Sequence, residues 1–156
     1  VNNLVNENYI LNNIKSDNKQ YWKDRFSKPL KILNITDTFG YNRNTVGNII
    51  VHKGLDFRAT ESTSVYAMNE GVVKVARKFE TYGNTVVLDH GFGLLTLYMH
   101  LSKINVKEGD IVKDDQEIGL SGDTGYTTAP HLHISIKIDG VSINPEVFMK
   151  YFKLIP

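Results

Sequence analysis

The chain has 156 residues, of which 41% are hydrophobic and 22% are charged, a length and composition typical of one globular domain. Its 18 basic and 17 acidic residues leave a formal net charge of +1, so no excess of positive charge indicates nucleic-acid binding. The absence of cysteine excludes disulfides and thiolate metal sites, which leaves histidine and carboxylate side chains as metal ligands.

The N-terminal residues differ in pattern from the rest of the chain. Apolar residues recur at helical spacing among Asn, Lys and Asp, at Leu4, Ile10, Leu11 and Ile14, which predicts a short amphipathic helix. Pro29 ends any helix at or before the residue that precedes it. We therefore expect an N-terminal helical arm over residues 1–25 and a main domain over 26–156. No apolar run is long enough to span a bilayer. Because the sequence starts with valine, we expect that an upstream segment was removed, which could have included a signal peptide or a membrane anchor.

From residue 30 onward, short β-type runs alternate with turns rich in Gly, Asn and Asp. The predicted strands are 31–35, 49–52, 64–67, 71–76, 85–90, 94–100, 111–112, 117–120, 131–138 and 141–143. The Asp-Gly pair at 139–140, between two such runs, predicts a β-hairpin, and residues 145–152 predict a short C-terminal helix. The pattern indicates a mainly β fold, an antiparallel sheet with helical additions.

The five histidines carry most of the chemical information. His131 and His133 are separated by one residue, so on a strand both side chains leave the same face. His52 and Asp56 flank Gly54, whose conformational freedom would let the chain turn and aim both side chains at one point. His90 lies at a strand end before a Gly-Phe-Gly turn, where a structural role is expected.

Two imidazoles and one carboxylate match the three-ligand plan of a catalytic zinc site, in which water is the fourth ligand. The sequence has no His-Glu-x-x-His helix to supply a glutamate base, so His100 and His131 are the candidates for moving the proton. The same donor set also occurs in non-haem iron oxygenases, although those sites usually space the first pair as His-x-Asp or His-x-Glu.

Several motifs resemble peptidase family M23, the lysostaphin and LytM type of zinc peptidoglycan endopeptidase. The resemblance covers roughly residues 26–149 and rests on HKGLD at 52–56, YMHLS at 98–102 and APHLH at 129–133. Supporting stretches are TFGYNR at 38–43, GNTVVLDH at 83–90 and GDTG at 122–125. Departures occur at 59–65, where the family has Gly-x-Pro-Val, and at 128–131, where Ala129 replaces a glycine.

The resemblance implies a Zn²⁺ ion held by His52, Asp56 and His133, with His100 and His131 as the catalytic pair. It also implies an antiparallel sheet with an open substrate groove. We assign Asn42, Arg43 and Tyr98 to this groove, with packing in the core or the groove wall as the alternative role for Tyr98. An exposed loop, a groove wall and a cover over the metal are all open roles for Asn42 and Arg43.

The function implied is hydrolysis of peptidoglycan peptides, with stem-peptide crosslinks favoured, in the periplasm or outside the cell. Control by a partner protein or an upstream inhibitory segment is expected. The alternative is a catalytically latent module that binds cell-wall peptides or regulates a partner.

Overall fold

The computed structural model describes residues 2–45 and 47–156, so Val1 of the predicted arm lies outside the described residues. Two helices flank a set of short antiparallel strands. The elements are α1 Asn2–Asn12, β1 Ile35–Asp37, β2 Asn42–Thr45, β3 Asn48–Val51, β4 Leu55–Arg58, β5 Ser64–Tyr66, β6 Gly71–Phe79, β7 Gly83–Gly91, β8 Leu94–Ile104, β9 Ile111–Val112, β10 Glu117–Ser121, β11 His131–Ile138, β12 Val141–Ile143 and α2 Pro145–Tyr151. Neither helix is long and apolar enough to cross a membrane. The mainly β, antiparallel fold predicted from the sequence is confirmed.

One ten-stranded sheet forms the centre, in the order β1-β4-β11-β8-β7-β6-β9, with β5, β10 and β12 joined at its sides. β2 and β3 form a separate hairpin in which Ile49, Ile50 and Val51 are all exposed. The order places β4, β11 and β8, which carry Asp56, His131, His133 and His100, beside one another at the middle of the sheet.

Both faces of this sheet are covered by apolar side chains. On one face a cluster that includes Phe26, Leu55 and Tyr98 packs with Met149 of α2. On the other face a smaller cluster, which includes Val75, Val87 and Leu97, is joined by Leu11 of α1. The N-terminal arm therefore covers one side of the sheet.

Three local predictions differ from the structure. Residues 31–34 are not a strand, and Ile32 is 76% exposed, because the apolar residues there do not alternate between two covered faces. Two strands were missed: β2 is wholly polar, and in β4 three successive residues are buried, so neither shows the apolar–polar alternation of a strand with one covered face. In α1 only Leu11 of the four predicted apolar contacts is fully buried, and Ile14 lies beyond the helix end.

Candidate metal site and catalytic cleft

His52, Asp56 and His133 converge on one point. Asp56 on β4 pairs directly with His133 on β11, and His52 lies just after the end of β3. His133 Nδ1 is 2.7 Å from Asp56 Oδ1, while His52 Nε2 is 3.2 Å from Asp56 Oδ1 and 3.2 Å from His133 Nδ1. One donor atom from each residue lies within 4.8 Å of the others, a spacing compatible with a single metal ion.

The far nitrogen of each of these imidazoles is already occupied. His52 Nδ1 is 2.7 Å from the Thr38 carbonyl oxygen, to which only an N–H can donate. His133 Nε2 is 2.9 Å from Ser135 Oγ, whose hydroxyl donates to the Lys53 carbonyl at 3.1 Å. Because the single Ser135 proton is used there, His133 Nε2–H must be the donor in its bond.

The nitrogens that face each other therefore carry no proton when the imidazoles are neutral. Together with the Asp56 carboxylate they place three acceptors side by side with no donor among them, an arrangement that repels unless a cation lies between them. This donor chemistry is that of a metal site, and the three residues fit a zinc ion held by two nitrogens and one oxygen.

The charge of Asp56 governs the titration of this group. Burial acts to raise the pKa of Asp56, but hydrogen bonds from His133 and His52, which form when these imidazoles carry a second proton, outweigh burial and hold the pKa well below its ordinary value. Burial also acts to lower the pKa of His52, yet hydrogen bonds to Asp56 and to the Thr38 carbonyl leave that pKa raised. Burial lowers the pKa of His133. Metal binding must displace any proton held by these ligands, so it depends on pH.

Glycine is required at position 54 because the structure leaves no room for a side chain there. Its φ is not positive, contrary to the expectation that its conformational freedom makes the turn. A Cβ atom at this position would lie 2.3 Å from His133 Nε2 and 2.5 Å from the Ile134 carbonyl oxygen. Any side chain here collides with the metal-site histidine and with backbone.

His100 and His131 form a second pair beside the first group. Their ring centroids are 4.9 Å apart, and His131 Nε2 is 3.8 Å from Asp56 Oδ1. His100 Nδ1 is bonded to the Thr124 carbonyl at 2.7 Å, and His131 Nδ1 to the Ala129 carbonyl at 2.9 Å. Each ring therefore holds its proton on Nδ1 and leaves Nε2 able to accept one.

A bulge in β8 turns His100 toward the cleft. Between the pairs Val86–Tyr98 and Asn84–Leu101, β8 contains one residue more than β7. His100 occupies the bulge with φ of 62°, a left-handed conformation that is costly for a residue other than glycine. Strain of this kind persists only where the surrounding structure enforces it.

Burial sets the protonation state of His100. It lowers the pKa of His100 to about 4, against an ordinary value of 6.5, although the bond to the Thr124 carbonyl opposes the shift. The ring is therefore neutral at pH 7, as a proton acceptor must be.

His100, His131, His133 and Asp56 open onto a cavity of about 560 Å³. Its lining combines basic, hydroxyl and aromatic side chains with the histidines: Thr36, Asp37, Arg43, Asp56, Arg58, His100, Tyr126, Thr127, Thr128, Ala129, Pro130, His131 and His133. Arg43 is among them, with Nη2 2.8 Å from Asp56 Oδ2 and a second ion pair to Asp37. Asn42 is exposed but does not line this cavity, since neighbouring residues on a strand face opposite ways.

The assignment of Tyr98 to the groove is wrong. Its side chain is 0% exposed and belongs to the core cluster, because the His100 bulge breaks the alternation that would have put both residues on one face. Its phenol oxygen accepts a hydrogen bond from the Met68 N–H at 2.9 Å and bonds the Thr96 hydroxyl at 2.9 Å. Thr96 in turn bonds Nε2 of the fully buried His90 at 2.8 Å, which places His90 in the structural network expected of it.

Sequence reasoning missed the groups that orient the histidines. Ser135 lies two residues after His133 on the same strand face, so strand alternation could have indicated it. The carbonyls of Thr38, Thr124 and Ala129 carry no side-chain signature and could not have been found from sequence.

Comparisons with known proteins agree with this geometry. The model of peptidase family M23 matches residues 50–145. The peptidoglycan DD-endopeptidase ShyA of Vibrio cholerae is 46% identical over 93 residues, which cover 60% of this chain and 22% of that protein. The chain spans about a quarter of the length of the curated relatives it matches.

Two solved structures share the fold. A zinc-containing peptidase of Vibrio cholerae superposes with a TM-score of 0.69 at 32% identity, covering 83% of this chain and 39% of that one. The catalytic domain of lysostaphin from Staphylococcus simulans superposes with a TM-score of 0.69 at 37% identity, covering 76% and 92%. Because the stretch matched by the family model contains all four cleft histidines and Asp56, the chain belongs to peptidase family M23.

Proposed function

We propose that this protein is a zinc metalloendopeptidase that hydrolyses peptide bonds in peptidoglycan. The observation that carries the proposal is the pairing of two sites in one cleft. Three acceptor atoms of His52, Asp56 and His133 lie within 4.8 Å, and the proton-accepting edges of His100 and His131 face the same space. A binding module needs neither the metal site nor the second pair.

In this proposal His52, Asp56 and His133 hold the ion. Zinc, when bound, supplies a Lewis acid that lowers the pKa of a water ligand to about 7 and polarises a carbonyl. His131 Nε2, 3.8 Å from Asp56 Oδ1, or His100 Nε2 accepts the proton of the attacking water and returns it to the leaving amine. The imidazolium so formed also lies where it can stabilise negative charge on the substrate oxygen.

Two further features fit a polymeric, partly anionic substrate. The cavity is an open cleft lined by Arg58, whose guanidinium group can bind a carboxylate of a stem peptide. The name of the Vibrio cholerae relative, a peptidoglycan DD-endopeptidase, favours stem-peptide crosslinks as the bonds that are cut. We accordingly place the protein in the cell envelope, with residues 26–156 as the peptidase domain and residues 1–25 as its arm.

One observation favours a latent state as a second candidate. Arg43 on β2 reaches into the metal site, where its Nη2 contacts Asp56 Oδ2 at 2.8 Å. An arginine held there would add positive charge beside a bound ion and narrow access to it, so that movement of the β2–β3 hairpin or a regulatory partner would be needed for full activity.

The test is digestion of isolated peptidoglycan by the purified protein, with and without a chelator and added zinc, with released fragments identified by mass spectrometry. Chelator-sensitive release that zinc restores is expected, and the fragment masses name the bond. His133→Ala serves as the metal-free control. If wild-type protein that contains one zinc ion releases nothing, hydrolysis is refuted and the latent module is favoured.

A further inference from the structure

The turn between β6 and β7, residues 80–82, is hydrogen-bonded to two residues of the catalytic cleft. The Tyr82 carbonyl accepts the His100 backbone N–H at 2.9 Å, and the Thr81 carbonyl accepts the Tyr126 N–H at 2.8 Å. These bonds hold the backbone of one cleft histidine and of the exposed tyrosine that lines the cavity.

The same turn also supports the loop that orients the His100 ring. The Thr124 carbonyl, which accepts from His100 Nδ1, packs so closely on Gly83 that a Cβ there would lie 2.3 Å away. A Cβ on Gly125 would likewise lie 2.4 Å from the Thr81 carbonyl oxygen. The turn and the loop therefore touch through backbone, and displacement of the turn moves both anchors of His100.

Helix α1 holds this turn from the opposite side. Glu7 is 6% exposed, and its Oε1 accepts the backbone N–H groups of Glu80 and Thr81 at 2.7 and 3.0 Å. The neighbouring Asn8 accepts the Tyr82 hydroxyl at 2.6 Å. Two turn amides thus have a buried carboxylate from the N-terminal arm as their partner, in a charge-assisted arrangement stronger than a bond between neutral groups.

We propose that helix α1 is a positioning element of the active site, with Glu7 as the residue that fixes the turn at 80–82 and through it His100 and Tyr126. The inference rests on the catalytic role proposed for His100. His100 has a strained backbone conformation that its surroundings must enforce, and the turn accepts the hydrogen bond of its backbone N–H. A force or a partner that displaced α1 would release the turn and lower turnover without removing any catalytic group.

The experiment compares Glu7→Ala with Glu7→Gln and with Val75→Ala in the full chain loaded with zinc. Gln keeps one acceptor oxygen for the turn amides, so it is the conservative variant. Val75 belongs to the apolar cluster beneath α1, on which Tyr82 of the turn also packs, but its side chain has no group that can bond the turn amides. Its truncation therefore separates loss of packing at this place from loss of the Glu7 hydrogen bonds. Measurements are made well below the melting temperature of each variant.

Two readouts separate positioning from mere folding. Hydrogen exchange of the His100 and Tyr126 amides reports the position of the turn without reference to catalysis. Cleavage of a soluble crosslinked muropeptide gives kcat and KM separately. Glu7→Ala is expected to speed exchange at both amides and to lower kcat about ten- to a hundred-fold, since small displacements of catalytic groups have effects of that size, with zinc content and KM little changed.

Recovery of most of kcat in Glu7→Gln, together with normal kcat in Val75→Ala, supports the proposal. It is overturned if Glu7→Ala and Val75→Ala behave alike in both readouts, or if exchange increases while kcat stays at the wild-type value. An inactive wild-type protein would refute the proposed function instead, and exchange alone would then decide whether Glu7 fixes the turn.

Discussion

Replacement of Ser135 by alanine tests whether the orientation of His133 governs zinc binding. Ser135 Oγ accepts a hydrogen bond from His133 Nε2–H at 2.9 Å, and its hydroxyl donates to the Lys53 carbonyl. Ser135→Ala removes this acceptor while leaving every proposed zinc ligand in place. His133 Nε2–H then lacks a partner in a nearly buried position. The tautomer with the proton on Nδ1, the nitrogen at which the metal would bind, then competes with the tautomer that leaves Nδ1 free.

The size of the effect follows from this geometry. Loss of such an orienting partner typically lowers metal affinity about 10- to 100-fold, equivalent to about 1.4–2.8 kcal/mol of binding free energy. The upper part of that range is expected here because His133 is only 9% exposed, so water cannot easily replace the serine hydroxyl.

The assay is competition for zinc against a chromophoric chelator at pH 7. Ser121→Ala is the matched control, because this buried hydroxyl also makes two hydrogen bonds, to Thr60 and Thr63, without touching a histidine. Its zinc affinity should stay within about twofold of the wild type, well below the effect of losing an orienting partner. Equal affinities for Ser135→Ala and the wild type would refute the view that Ser135 holds His133 for the metal.

Three other changes give distinct outcomes. Gly54→Ala should abolish zinc binding, because the new Cβ would lie 2.3 Å from His133 Nε2. His131→Ala should keep zinc but lower turnover by about 100-fold or more, the scale of lost proton transfer. Acidification should destabilise the fold through His90, because burial lowers its pKa from 6.5 to about 4. The contribution of neutral His90 to the free energy of unfolding is complete above pH 6.5 and is lost as the pH falls from 6.5 to 4, by about 3 kcal/mol in all.

Zinc analysis by atomic absorption, muropeptide cleavage and urea unfolding at several pH values check these outcomes. A Gly54→Ala protein with full zinc content would contradict the close approach described. Normal cleavage by His131→Ala would remove that residue from the mechanism. For His90, the variant His90→Gln should lose part of the pH dependence between 6.5 and 4, and an unchanged slope would show that other groups cause it.

The sequence alone indicated the fold class and all five residues of the proposed site. Alternating apolar residues and Gly or Asn turns suffice for an antiparallel sheet because strand periodicity is local. The i, i+2 spacing of His131 and His133 likewise fixes a shared face without knowledge of the rest of the chain. The HKGLD, YMHLS and APHLH motifs supplied the family, which the match over residues 50–145 confirms.

Other features depended on contacts between residues far apart in the sequence. The bulge at His100 arises from register between β7 and β8, and no local pattern revealed that it would turn His100 into the cleft and leave Tyr98 in the core. Glu7 looked like one polar residue of a helix, yet it meets amides 73 and 74 positions away. Gly54 looked like a turn residue, whereas glycine is required there because His133 occupies the space that a Cβ atom would fill.

The residue types and their spacing thus determined which groups can perform the chemistry. Their orientation was decided only by tertiary structure, because three of the four imidazoles are held by backbone carbonyls, those of Thr38, Thr124 and Ala129, that accept from the far side of the ring. A carbonyl is common to every residue, so the sequence does not mark the ones that will meet a histidine. Sheet pairing brings them there, and it fixes which nitrogen of each ring faces the cleft.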